Sequence, residues 1–392
     1  MGKIYLNPKK EESLLRFHPW VFSGAVASVS RPAKEGDLVE VYDSTGRFLG
    51  IGHYQAGSIA VRILSFRPVA IDHVFWTSRL RAAYDLRRAL GLCTADNDTF
   101  RLVYGEGDML AGLIIDIYGQ TAVMQAHSAG MHHMRTAVAT ALKEVLGDAL
   151  QNIYYKSEGT LPFKAALGQE NEYLLGGEQK DAVATERGLR FHIDWLKGQK
   201  TGFFVDQRES RALVEQYAHG RSVLNMFCYT GGFSVYAMRG NAITVHSVDS
   251  SAKAIALTEK NVGLNFPDDA RHRAFAADAF DFLEETGDQY DLIVLDPPAF
   301  AKHKNVLRNA LQGYRKLNAL AIEKIKSGGI LFTFSCSQVV TKNDFRLAVF
   351  SAAARSGRHI RILHQLTQPA DHPVNIYHPE GEYLKGLVLY VE

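Results

Sequence analysis

The sequence predicts an α/β protein. A doubly wound sheet of seven strands fills the C-terminal half, preceded by a small β-barrel and a central α+β domain. Three observations predict this. Residues 222–234 read as an apolar strand, a Thr230-Gly231-Gly232 turn and a helix starting at Phe233. From there onward, apolar runs and helical patterns alternate regularly. The first 70 residues instead hold short β-rich segments between turn signals.

Composition sets the bounds. A chain of 392 residues suits two or three domains, and 46% hydrophobic content supports packed cores. A net charge of +2 excludes a histone-like binder, so a nucleic-acid role needs a local basic surface. Cys93, Cys228 and Cys336 are widely spaced and form no C-x-x-C, which predicts a reducing, cytoplasmic setting and no zinc ribbon. No apolar run approaches the ~20 residues of a membrane span, and no signal-peptide core is seen.

Residues 1–70 form the first expected domain. Gly36-Asp37 and Ser44-Thr45-Gly46 are turns beside strands Leu38–Tyr42, Arg47–Tyr54 and Ser58–Leu64. Nine lysines and arginines against six acids leave this segment at +3. Lys9, Lys10, Arg16 and His18 precede the aromatics Trp20 and Phe22. Cations interleaved with aromatics suit an RNA backbone and its bases, and equally a solvated face beside core aromatics. His18-Pro19-Trp20-Val21-Phe22-Ser23-Gly24, followed by Gly36-Asp37-Leu38-Val39-Glu40-Val41, resembles a PUA domain, which implies a small RNA-binding barrel.

Residues 71–180 form the second. Val74, Phe75, Leu80, Ala83, Tyr84, Leu86 and Leu90 recur at helical spacing over 72–91. Arg79, Arg81, Arg87 and Arg88 decorate that helix, either as a solvated face or facing RNA, and Gly91 caps it. Strands follow at Phe100–Tyr104, Gly112–Tyr118 and Ala122–Ala126, then a helix over 130–146 and a strand at Ile153–Lys156. His127, His132 and His133 lack a cysteine partner or a helical i, i+4 pair, so no metal site is expected.

Residues 181–392 form the third. A hairpin over 182–195 turns at Glu186-Arg187-Gly188 and leads into Gly202-Phe203-Phe204-Val205-Asp206-Gln207-Arg208, either a ligand-facing turn or helix-start packing. Strand one is Val223–Phe227, strand two Ala242–Val248, strand three His272–Ala276, strand four Leu292–Leu295 and strand five Ile330–Phe334. Helices are expected at Ser251–Asn261, 306–326 and 341–356, then strand Ile360–Leu366. The last strand, Gly386–Val391, follows Glu380-Gly381 too closely for a helical crossover and is expected antiparallel. Seven strands with that ending make the Rossmann-like class I methyltransferase arrangement.

Ligand-binding residues in such sheets sit at the carboxyl ends of strands. The Gly231-Gly232 pair lets the backbone approach a ligand, but the third glycine of a dinucleotide fingerprint is missing, which leaves S-adenosylmethionine. Asp249 follows strand two and suits ribose hydroxyls, and Asp278 follows strand three and suits an adenine amino group. Asp296 opens the stiff Asp296-Pro297-Pro298 turn after strand four, and Cys336 follows strand five. Two chemistries stay open. One is methylation of a base nitrogen by an Asp-Pro-Pro-aromatic motif, from which Ala299 departs by separating Pro298 from Phe300. The other is addition of the Cys336 thiolate to carbon 6 of cytosine, which makes carbon 5 nucleophilic, with Asp296 on the pyrimidine edge and Phe300 stacking on the unstacked base. Cys228 reads as a small packing residue on the donor side.

Asn225-x-Phe227-x-Tyr229-Thr230-Gly231-Gly232-Phe233, Lys200-Thr201-Gly202-Phe203-Phe204-x-Asp206-Gln207-Arg208, Asp296-Pro297-Pro298-x-Phe300 and Ser335-Cys336-Ser337 together resemble the bacterial large-subunit rRNA cytosine-5 methyltransferases of the methyltransferase I type. The resemblance covers nearly the whole chain. It implies S-adenosylmethionine as donor, 23S rRNA as substrate, and Cys336 and Asp296 as catalytic residues. The implied cofactor set is Gly202, Phe204, Gln207, Arg208, Asn225, Phe227, Tyr229, Thr230, Gly231, Gly232, Phe233, Asp249, Ser250, Asp278, Ala279 and Asp296. Lys9, Lys10, Arg16, His18, Trp20, Pro298 and Phe300 are the expected RNA contacts. Many other RNA cytosine-5 methyltransferases carry a second cysteine after the strand-four proline; here that place is Pro298. A non-catalytic RNA-binding or ribosome-assembly protein is the reading from another class. A homodimer stays open, and no membrane partner is expected.

Overall fold

The computed structural model describes residues 1–162, 167, 171–177, 182–287, 289–301 and 303–392, so the domain boundary expected at 180/181 lies outside the described residues. They divide into two compact units. The first comprises Met1–Thr185, Ile193–Val205 and Ala370–Gly381; the second comprises Glu186–His192, Asp206–Pro369 and Glu382–Glu392. No described helix is long and apolar enough to cross a membrane.

The first unit opens with β1 (Gly2–Leu6), α1 (Glu12–Leu15), β2 (Trp20–Phe22), β3 (Val26–Val29), β4 (Leu38–Tyr42), β5 (Phe48–Tyr54) and β6 (Ile59–Ser65). These strands make one six-stranded sheet in the order β2-β6-β5-β4-β1-β3. Alternation drives it: Val39 and Val41 point inward from β4 and join Ile4, Leu6, Val61 and Ile63 in a buried cluster.

The same unit continues with α2 (His73–Ala89), β7 (Thr99–Tyr104), β8 (Leu113–Tyr118), β9 (Thr121–Ala126), α3 (Ala129–His133), α4 (Arg135–Leu146), β10 (Asn152–Tyr155) and β11 (Glu172–Leu175). Their sheet runs β11-β10-β9-β8-β7. Asp72 starts α2 by accepting from the Phe75 amide at 3.1 Å, and Gly91 ends it at φ +70°. The buried stripe of α2 is Trp76, Leu80, Ala83 and Arg87, while Val74 is 73% exposed. Arg87 is therefore no part of a solvated face. Its guanidinium is fully buried, grips Asp108 with two hydrogen bonds and reaches the Asp371 carbonyl at 2.7 Å. A sequence pattern marks arginine as polar and cannot see the acid that neutralises it across the fold.

The chain then forms the expected hairpin, β12 (Val183–Glu186) with β13 (Leu189–His192). The second unit is built from α5 (Arg208–Ala218), β14 (Ser222–Met226), α6 (Gly232–Arg239), β15 (Thr244–Asp249), α7 (Ala252–Asn265), β16 (His272–Ala276), α8 (Ala279–Glu285), β17 (Tyr290–Leu295), α9 (Leu307–Lys324), β18 (Ile325–Ser335), α10 (Lys342–Ser356), β19 (Ile360–Leu366) and β20 (Lys385–Val391). Its seven-stranded sheet runs β16-β15-β14-β17-β18-β20-β19. The first five of these strands are parallel, and β20 is antiparallel to both β18 and β19, as expected. This class I order brings the carboxyl ends of β14 through β18 to one edge. A buried pair, Arg211 with Glu186, holds the start of α5 at 2.7 Å.

Breaking a buried ion pair strands the partner charge, at a cost of about 3–5 kcal/mol. Arg87→Met should destabilise the first unit by that amount in urea unfolding; a loss under about 1 kcal/mol, the range of a surface pair, would show that the pair is not what holds α2.

Candidate active site

The turn after β14 is conformationally demanding. Phe227, Tyr229 and Gly231 all adopt positive φ, at +57°, +47° and +76°. Only glycine takes such angles freely, so two non-glycine residues here are held by their surroundings. Asp249, at the end of β15, supplies the hold. Its carboxylate accepts the Tyr229 amide at 3.0 Å and the Ser251 amide at 2.9 Å. From α7, Thr258 donates to the Tyr229 carbonyl at 2.9 Å and Asn261 to the Thr230 carbonyl at 2.8 Å. A Cβ on Gly231 would sit 2.7 Å from the Thr258 side chain. Such strain, stored beside a helix N-terminus and a carboxylate with lone pairs left over, fits a nucleoside bearing a ribose diol.

The rest of the expected cofactor set is placed as follows. Asn225 is buried in β14 and donates to Ser234 at 2.9 Å, in a chain that continues through Ser247 to His272. Gly232 is buried at the start of α6, and Phe233 stacks on Phe334. Ser250 is exposed beside Asp249. Asp278 is exposed and caps α8, accepting from the Phe280 and Asp281 amides, while Ala279 is buried. Gly202 and Phe204 belong to the first unit. Gly202 lies at φ +120°, and a Cβ there would meet Ile193 and Trp195 at 3.0 Å, so close packing alone requires glycine. Gln207 and Arg208 are buried in the second unit. Cys228 is buried, and burial pushes its thiol up to about 12, which keeps it protonated and unreactive.

Asp296 and Cys336 follow β17 and β18, which pair in parallel with Leu295 opposite Thr333. Gln207 donates to Asp296 at 3.1 Å. Burial, reinforced by the Asp206 charge, pushes the Asp296 carboxyl up to about 7. Asp206 itself accepts the Tyr383 hydroxyl at 2.5 Å. Cys336 is half-buried. Tyr314 of α9 feels both Cys336 and Asp296, accepts from Ser335 at 2.9 Å, and carries Phe300 on its ring at 4.7 Å. Phe300 is thus half-buried on Tyr314, with Pro298 exposed beside it.

Lys385 was not foreseen from the sequence. It starts β20 opposite Ser335, is 7% exposed, and donates to the Ser337 carbonyl at 2.5 Å. Burial lowers its ammonium to about 8, against the opposing pull of Cys336. Only the antiparallel pairing of β20 brings this lysine to the cysteine, so no local motif marks it.

In the first unit, Lys9, Lys10 and Arg16 are exposed, and His18 and Trp20 are half-buried. Trp20 donates its indole N–H to Glu106 at 2.8 Å. Two aromatics missed by sequence reading join them. Phe17 and Tyr377, both about half exposed, meet at 5.4 Å. Exposed rings beside cations make a stacking surface for unpaired bases.

Two family models match this chain. One describes S-adenosylmethionine-dependent methyltransferases and covers residues 85–385; the other describes a PUA-like domain and covers residues 4–66. Ribosomal RNA large subunit methyltransferase I of Erwinia tasmaniensis is 40% identical over 99% of each chain. The protein of that name from Escherichia coli O157:H7 is 38% identical, again over 99% of each. The crystal structure of SMU.776 complexed with SAH aligns over 100% of both chains at 24% identity, with a TM-score of 0.85, a likeness of fold.

The raised Asp296 value has a consequence for stability. An unfolded carboxyl ionises near ~3.9, so between that pH and about 7 folding is opposed by a proton that the native state retains. The penalty grows as pH rises through this window and levels off above it. Asp296→Asn, which cannot ionise, should be more stable than wild type at pH 8 and show no advantage below about pH 4, where both carboxyls are neutral. Denaturation midpoints across pH check this; a pH-independent difference would refute the raised value.

Proposed function

Because the chain belongs to the family of S-adenosylmethionine-dependent ribosomal RNA large subunit methyltransferases I, we propose that it methylates carbon 5 of a cytosine in 23S rRNA through a covalent adduct on Cys336. The observation that carries this is the pairing of β17 and β18, which sets Asp296 and Cys336 at the same end of adjacent strands.

The bound cofactor supplies an electrophilic sulfonium methyl. The Cys336 thiolate adds to carbon 6 of the flipped cytosine, and Asp296, which retains a proton near neutral pH, gives it to N3. Carbon 5, now nucleophilic, takes the methyl. Solvent water takes the carbon-5 proton, which restores the double bond and expels the Cys336 thiolate, and N3 returns its proton to Asp296. The Lys385 ammonium, whose own proton is held more firmly by Cys336, sets positive charge beside the attacking sulfur. The turn of Phe227, Tyr229, Thr230, Gly231 and Gly232 holds the amino-acid end of the cofactor, Asp249 its ribose, and Asp278 with Ala279 its adenine. By resemblance to the family, Asn225, Phe233, Ser250, Gln207 and Arg208 complete the pocket, and Gly202 and Phe204 are further cofactor contacts.

Residues 1–70 serve as the RNA-binding domain through Lys9, Lys10, Arg16, His18 and Trp20. Residues 71–180 form the central domain, and 181–392 the catalytic domain, where Pro298 and Phe300 meet the target base. The reaction belongs in the cytoplasm with the ribosomal RNA.

Wild type incubated with methyl-labelled cofactor and 23S rRNA should place label on a cytosine carbon 5, and Cys336→Ala should lose it. Label retained by Cys336→Ala, or found on a base nitrogen, refutes the covalent route; no cofactor binding in calorimetry favours an RNA-binding or assembly role instead. Asp249→Ala should weaken cofactor binding by about 1.5–3 kcal/mol, the worth of a hydrogen bond to a charged group, and a titration giving wild-type affinity would reject the ribose assignment.

A further inference from the structure

We infer that His18, His378 and Glu380 form a binding site for a divalent transition-metal ion of the zinc type, within the first unit, sharing only His18 with the proposed RNA contacts. Each residue offers one ligand atom, and the three atoms lie within 4.8 Å of one another. The spacing is that of loose ion pairs and leaves room for an ion between the groups. Nε2 of His18 stands 3.5 Å from Oε1 of Glu380, and Nε2 of His378 stands 3.7 Å from Oε2. Both exceed the usual ~2.7–3.2 Å of an N–H···O bond. They approach the edge of a tetrahedron whose bonds are about 2.0–2.2 Å, which is roughly 3.3–3.6 Å.

His378 supplies a second, independent sign. It is 3% exposed, and neither ring nitrogen has a hydrogen-bond partner. A buried imidazole with both nitrogens unbonded calls for a ligand. The Trp20 ring packs edge-on against it at 4.3 Å and walls off that side. Nδ1 of His18 faces the Trp20 backbone, 3.2 Å from its N–H and 3.4 Å from its carbonyl. Ligation through Nε2 requires the tautomer in which Nδ1–H donates to that carbonyl, in place of the Trp20 N–H donating to Nδ1. Glu106, fixed by the Trp20 indole, adds negative charge nearby. Two imidazoles and a carboxylate suit zinc and leave a fourth position for water or an external oxygen ligand. The site would pin the His18 loop of the N-terminal sheet to the Ala370–Gly381 segment.

The test uses the full-length protein, stripped with chelator and titrated with zinc by calorimetry, with cobalt as an optical probe. Wild type should bind a single equivalent, and cobalt should give the d–d bands of a four-coordinate nitrogen–oxygen site without a thiolate charge-transfer band. His378→Leu and Glu380→Gln should each weaken zinc binding by about tenfold or more. Glu380 is exposed, so its variant reports on binding even where His378→Leu perturbs folding. The inference is overturned if wild type binds no zinc, if Glu380→Gln keeps wild-type affinity, or if a thiolate band assigns the metal to a cysteine.

Discussion

The Asp249 carboxylate is the constraint on which the proposed cofactor turn rests, because it ties the turn after β14 to the end of β15 and the start of α7. It ends β15, bonds the Tyr229 amide in the turn after β14, and bonds the Ser251 amide at the start of α7. Each bond is to a charged acceptor and is worth about 1.5–3 kcal/mol. Together with Thr258 and Asn261 they hold Phe227 and Tyr229 at backbone angles that side chains resist. A turn needing this much support is organised to present its backbone, not merely to reverse direction.

The acceptor side is organised by electrostatics rather than by strain. Asp206 and burial together keep a proton on Asp296 near neutrality, while Lys385 places positive charge beside Cys336. One carboxyl keeps its proton and one thiol has a cation beside it. The two effects suit the proposed route, since covalent attack at carbon 6 requires a nucleophile and a proton for N3 together. Cys228 shows the contrast: the same residue type, buried without a cation, is pushed up to about 12 and serves as packing.

Much of this was legible beforehand. The apolar runs of the catalytic half matched β14 to β20 to within about five residues, and β16 and β19 matched at both ends, because β-rich runs bounded by turns leave strong local signals. Asp249, Asp296 and Cys336 stood out because strand ends can be counted. Arg87 was misread as solvated because its partner Asp108 lies beyond the helix, and the short helix α8 was not foreseen because seven residues carry little periodicity. Phe17 with Tyr377, and His18 with His378 and Glu380, were invisible for a related reason: the members lie at opposite ends of the chain.

The sequence by itself determined the order of elements, the class of the sheet, the glycine turn and the acids and thiol at strand ends, since these depend on periodicity and on turn chemistry within a few residues. Only the tertiary structure decided which charges are buried, which proton Asp296 keeps, that Lys385 stands beside Cys336, and that two histidines and a glutamate face one another. Those properties arise from desolvation and from pairs distant in sequence, and neither has a local period to read.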